Sequence, residues 1–157
     1  SGEKGRLPVH GRLHHVATVV RDLDAALAFH RDILGLPLEQ VVDVPSQEVR
    51  IAFLTAGASK VELVQPTNES SGVARFLEAK GEGFHHVCIE VADIDAELRR
   101  LESAGIRLIN ASAVPGVEGP VAFLHPKSCH GVLVELIEAT GGPAWSRLDL
   151  VAVQRGA

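Results

Sequence analysis

The sequence predicts an α+β fold made of two tandem β-α-β-β-β units, on three observations. Leu13-His14-His15-Val16-Ala17 returns as Phe84-His85-His86-Val87-Cys88, so that the second histidine recurs 71 residues on. Ile51-Ala52-Phe53-Leu54 returns as Val121-Ala122-Phe123-Leu124 after 70 residues, and Val61-Glu62-Leu63-Val64 returns as Val134-Glu135-Leu136-Ile137 after 73. Near-constant offsets, with the order of elements preserved, mark a duplicated supersecondary unit. The first copy spans 13–66 and the second 84–138, with 67–83 connecting them; 1–12 reads as a disordered lead-in and 139–157 as a C-terminal extension.

The elements follow in order. His15, Ala17 and Val19 alternate with Val16, Thr18 and Val20, as in a strand. Asp22 is placed to cap a helix whose Leu23, Leu27 and Leu34 fall near one face, and Gly35 ends it. A strand over 41–44 stops at Pro45. Strands over 49–54 and 60–65 are joined by the small, polar turn 55–59. In the connector, Val73, Phe76 and Leu77 suit a short helix over 71–80. The second unit repeats the series: a strand over 84–91, a helix over 93–104 stopped by Gly105, then strands near 106–109, 121–124 and 132–137, with a turn-rich loop containing Gly116 and Gly119. The extension carries Trp145, Leu148, Leu150 and Val151 and is too apolar for a free tail; docking on the domain or on a partner subunit is expected.

Composition limits what such a domain does. The chain has 157 residues, 46% hydrophobic and 22% charged, enough for one sizeable core. A formal net charge of −5 without a basic run argues against nucleic acid or an anionic membrane as partner. Neither an apolar run of 18 residues nor a charged-then-apolar leader is present, which makes the cytoplasm the default compartment, or the mitochondrial matrix in a eukaryote. Cys88 and Cys129 lie outside any close-spaced metal motif and read as small hydrophobes rather than a disulfide framework.

Glu62 and Glu135 are the chemical clue. Each interrupts an otherwise apolar strand, and a buried carboxylate costs several kcal/mol unless it is paired or bound to a cation. Either acid alone is the ordinary solvent-facing residue of an antiparallel sheet. Two in equivalent places, with two equivalent histidine pairs, suggest one shared cation. Periodicity leaves open which member of each pair, His14 or His15, His85 or His86, faces it. Two imidazoles and two carboxylates suit a divalent ion such as Co, Mn, Ni or Zn. His10 and His30 read as surface residues, and His125 and His130 as loop or supporting ones.

With these motifs in place the chain resembles the vicinal oxygen chelate superfamily and, within it, the methylmalonyl-CoA epimerases. The stretches that carry the likeness are Val44-Pro45-Ser46-Gln47, Lys60-Val61-Glu62-Leu63, Gly81-Glu82-Gly83-Phe84-His85-His86, and His125-Pro126-Lys127-Ser128 followed by Gly131-Val132-Leu133-Val134-Glu135. The resemblance implies a curved mixed sheet around a central metal site with His15, Glu62, His86 and Glu135 as ligands. It also implies an acyl-CoA thioester as substrate, a homodimer, and cobalt among the metals to be tested.

The implied chemistry is interconversion of (R)- and (S)-methylmalonyl-CoA by proton exchange at C2, with donors and acceptors on opposite faces of that carbon. The family gives one such role to the carboxylate matching Glu135. Some members carry a second catalytic glutamate where this chain has Ile51, and Glu48 is three residues off. Lys60, two residues before Glu62 and so on the same side of its strand, is the candidate substitute, exchanging the proton or stabilising the enolate; the alternative is a lysine that neutralises the substrate carboxylate or turns to solvent. Lys127 and the 116–119 loop are candidates for holding the CoA moiety. A glyoxalase I-like isomerase acting on a glutathione hemithioacetal is the first alternative, and a non-catalytic binding module of the same fold the second. A ring-cleaving dioxygenase is disfavoured by the fourth ligand.

Overall fold

The computed structural model describes residues 10–138 and 151–152. It divides into two compact units. Among the described residues one comprises 15–86 with 151–152, the other 10–14 with 87–138, so the divide falls between His14 and His15 and directly after His86.

In the first unit the strands are ordered β1-β4-β3-β2-β9, where β1 is His10–Val19, β2 Leu38–Val44, β3 Val49–Ala56, β4 Ser59–Pro66 and β9 Val151–Ala152. β1 and β4 are parallel, and the other neighbours are antiparallel. Asp22 caps α1 (Leu23–Leu27) by accepting from the amides of Asp24 and Ala25, which replaces orphan helix-end bonds. Leu23 and Leu27 of α1 then bury against Val41, Ala52, Leu54 and Leu63. That core covers one face of the sheet. The other face carries His15, Ala17, Phe53, Lys60 and Glu62, because Lys60 stands opposite His15, and Glu62 opposite both Ala17 and Phe53.

The second unit repeats the plan. Its order is β6-β7-β8-β5, with β5 Gly83–Val91, β6 Val114–Gly116, β7 Gly119–Leu124 and β8 Val134–Glu138. β5 and β8 are parallel, and Glu135 stands opposite both Cys88 and Phe123. α3 (Ile94–Ser103), capped by Asp93, buries Ile94 and Leu98 against Val91, Ala122, Leu124 and Leu136. The connector helix α2 (Gly72–Lys80) is capped by Ser71.

Three expectations are corrected. β1 begins at His10, so 10–12 belong to a strand and not to the lead-in; 1–9 and most of the extension lie outside the described residues. Within the extension, β9 pairs with β2 through Asp43 and Val42. The helix after Asp22 does not stay α-helical: from Ala28 to Ile33 it widens into a π-helix, with the Leu34 amide donating to the Phe29 carbonyl five residues back. The wider turn carries Leu34 off the buried stripe, leaving it 56% exposed. Lastly, 106–109 forms only an isolated bridge at Leu108, and β6 is the strand beside β7. Asn110 explains this, since its side-chain oxygen takes the Phe123 amide that a continued ladder would use.

Candidate metal centre

Parallel pairing of β1 with β4 sets the first ladder. Glu62 sits opposite Ala17, a residue small and fully buried, and His15 lies two residues earlier on the same face of β1. Glu62 Oε2 therefore reaches His15 Nε2 and forms an ion-pair contact with it. His86, near the start of β5, brings its Nε2 to 3.1 Å from that of His15, with the two rings edge to face. All three side chains are buried, at 4, 7 and 8% exposure for His15, Glu62 and His86.

These donors fit a metal. Glu62 Oε2 is out of contact with solvent and, apart from its contact with His15 Nε2, accepts no hydrogen bond among the described residues, a cost of a few kcal/mol unless a cation meets it. An ion with bonds of about 2.0–2.2 Å holds neighbouring ligand atoms about 3 Å apart, the spacing seen between the two imidazoles. The orientation of His86 is fixed from behind: its Nδ1 shares a hydrogen bond of 2.7 Å with Nδ1 of His85, one donating and the other accepting. In the sequence His85 stands only as the alternative to His86. The signal available was the pairing itself, since a ligating histidine commonly has its second nitrogen bound.

Glu135 occupies the corresponding place in the second unit, opposite Cys88 and Phe123 and 7% exposed. His14 is also buried and faces Glu118, 3.5 Å from its Nε2 to Oε2. Glu118 lies at the tip of a tight hairpin in which Gly116 and Gly119 are paired. A Cβ on Gly116 would come within 2.7 Å of the Gly119 carbonyl, so this closed turn requires glycine at that position. Lys127 is exposed in a short turn braced by His125, whose Nδ1 accepts the Lys127 amide at 3.0 Å. Partial burial, then Arg107 and Lys127, push the His125 imidazole below its usual range.

Lys60 is on the ligand face as its spacing requires. Its Nζ lies 2.9 Å from Glu39 Oε2 and 5.9 Å from the centre of the Phe53 ring. Ile51 is buried, opposite Val64 and two residues from Phe53, so it presents an apolar side chain to that same face. Glu48 adopts a left-handed conformation and accepts a hydrogen bond from Ser70.

The family follows from comparison with known proteins. The model of the Glyoxalase/Bleomycin resistance protein/Dioxygenase superfamily matches residues 14–123. The mitochondrial methylmalonyl-CoA epimerase of Mus musculus is 46% identical over 131 residues, 82% of this chain and 74% of that one. This chain belongs to the methylmalonyl-CoA epimerase family. The ethylmalonyl-CoA/methylmalonyl-CoA epimerase of Cereibacter sphaeroides is 45% identical over 129 residues, covering 80% of this chain and 96% of that one. A solved methylmalonyl-CoA epimerase in complex with methylmalonyl-CoA and ammonium superposes with a TM-score of 0.80 at 35% identity, over 86% of this chain and all of the other. The two-unit α+β architecture is thus that of the family. No helix among the described residues is long and apolar enough to cross a membrane.

Proposed function

We propose that this chain is a metal-dependent epimerase that interconverts (R)- and (S)-methylmalonyl-CoA. The observation that carries the reading is the buried run of contacts from Glu62 Oε2 to His15 Nε2 and from there to His86 Nε2, in a chain of this family. We add Glu135 as fourth ligand because it repeats the register and burial of Glu62 in the second unit. A divalent ion (Co, Mn, Ni or Zn) held by these four would draw electron density from the substrate's thioester and carboxylate oxygens and so acidify C2.

The chain's own residues then divide the work. The C2–H bond breaks as a base on one face takes the proton, the electron pair delocalises toward the thioester oxygen, and a donor on the other face returns a proton to C2. Glu135 is one exchanging group. Lys60 serves the other side, exchanging the proton or holding the developing negative charge; its contact with Glu39 favours the second role, since an ammonium held by a carboxylate acts as a donor. Ile51 and Phe53 keep that face apolar and exclude water. The active species is proposed to be a homodimer, tested by light scattering. Its compartment is the cytoplasm, or the mitochondrial matrix in a eukaryote, a reading supported by the mitochondrial relative.

Metal analysis of the purified chain followed by incubation with methylmalonyl-CoA in D2O tests the reading. The expected result is about one ion per chain and deuterium at C2 that disappears on chelation and returns with added Co or Mn. Absence of exchange, or turnover of methylglyoxal with glutathione in its place, would sink it in favour of the glyoxalase I-like alternative.

A further inference from the structure

A bulge in β2 delivers a second acid to the ligand face of the first unit. Leu38 pairs with Leu54 and Gln40 with Phe53, so Glu39 is the extra residue between two consecutive steps of β3. Bulges of this kind re-aim a side chain. Here the Glu39 carboxylate is held at both oxygens: Oε1 accepts from Thr55 Oγ at 2.8 Å and Oε2 meets Lys60 Nζ at 2.9 Å. Thr55 and Lys60 are themselves cross-strand partners, and Lys60 stands opposite His15 on its other side. The Glu39 and Lys60 side chains are 33 and 20% exposed. A pair that accessible contributes little to stability, so a bulge that assembles it calls for another reason.

We propose that Glu39 is a positioning residue for the reaction: the bulge and Thr55 fix its carboxylate, which holds the Lys60 ammonium beside the face that bears His15 and Glu62, where it meets the acidic end of the acyl thioester. This rests on the functional reading above. A lysine has a long, freely rotating stem, and only a fixed partner keeps its charge at one height on the strand. The second unit has no such device, because the residue two before Glu135 is Leu133. The cation therefore marks one side of an otherwise repeated ligand set and gives a substrate with one carboxylate and one thioester a single orientation.

The test is a double-mutant cycle on the metal-loaded full chain with methylmalonyl-CoA. Glu39→Gln is expected to lower kcat about tenfold with KM within about twofold, and with metal content and Tm unchanged; Thr55→Val shifts kcat the same way, about threefold. In a Lys60→Ala background Glu39→Gln is expected to change nothing further, because Glu39 acts through Lys60. Wild-type kcat in Glu39→Gln, or an undiminished loss in the Lys60→Ala background, overturns the proposal. Acetylation of Lys60 by an N-hydroxysuccinimide ester, read by peptide mass spectrometry, is expected to run at least about threefold faster in Glu39→Gln. Unchanged labelling overturns the positioning role in any case. Faster labelling in a protein that does not turn over methylmalonyl-CoA keeps the pairing and overturns the functional reading instead.

Discussion

The two units build the same ladder and dress it differently. In both, a parallel pair of strands sets a glutamate opposite a small buried residue on one side and a phenylalanine on the other: Ala17, Glu62 and Phe53 in the first, Cys88, Glu135 and Phe123 in the second. In both, a helix covers the opposite face. The surroundings diverge. The first unit has Lys60 and a bulged, seven-residue β2; the second has Leu133 and a three-residue β6. Repeated register is what metal ligation needs, while recognition of an unsymmetrical substrate needs the parts that do not repeat.

The sharpest way to break this equivalence is at the two acids. Glu135→Gln is expected to lower kcat about a thousandfold, the range of a lost general base, and Glu62→Gln only about tenfold, each measured with the ion saturating. Equal losses would make the ladders interchangeable in chemistry as well as in geometry. Copying the second unit into the first with Lys60→Leu is expected to lower kcat about a hundredfold without changing the ion content found by elemental analysis; an unchanged rate removes Lys60 from the site. His85→Ala is expected to weaken metal binding about 10- to 100-fold, with turnover restored by excess ion, whereas loss that excess ion does not restore would mean His85 does more than orient His86.

The smallest effect belongs to the edge of the second unit. Burial, and then Asp93 and Asp95, raise the Glu138 carboxyl above its usual range. The unfolded chain gives up this proton first as pH rises, so the group's contribution to stability is present below the ordinary carboxylate range and lost through the raised one. Glu138→Gln is expected to raise Tm by about 1–2 °C at pH 7 and to leave it unchanged at pH 3, as followed by circular dichroism. A Tm gain at both values would point to packing rather than charge.

Much of this was legible in the sequence because duplication writes the same restraint twice. The aligned repeat singles out Glu62 inside its apolar strand, the choice of His15 over His14 comes from the family resemblance and not from alternation, and the helix over 93–104 follows from its cap and its Gly105 stop. What was missed depends on backbone detail that side-chain periodicity does not encode. The π-turn at 28–33 changes the rotation per residue, so counting by 3.6 places Leu34 inside when it is outside. The strand expected at 106–109 is apolar enough, but one side-chain amide at Asn110 outcompetes the ladder. Glu39 carries no signal in the sequence, because only a break in register, invisible in composition, turns it toward Lys60.

Ala17 has no exposed surface and lies directly across from Glu62. A branched side chain there would need room beside the carboxylate in a fully buried position, so this methyl group helps to set the tolerance of the ladder to drift. Screening for function by the four proposed ligands alone would overlook this position.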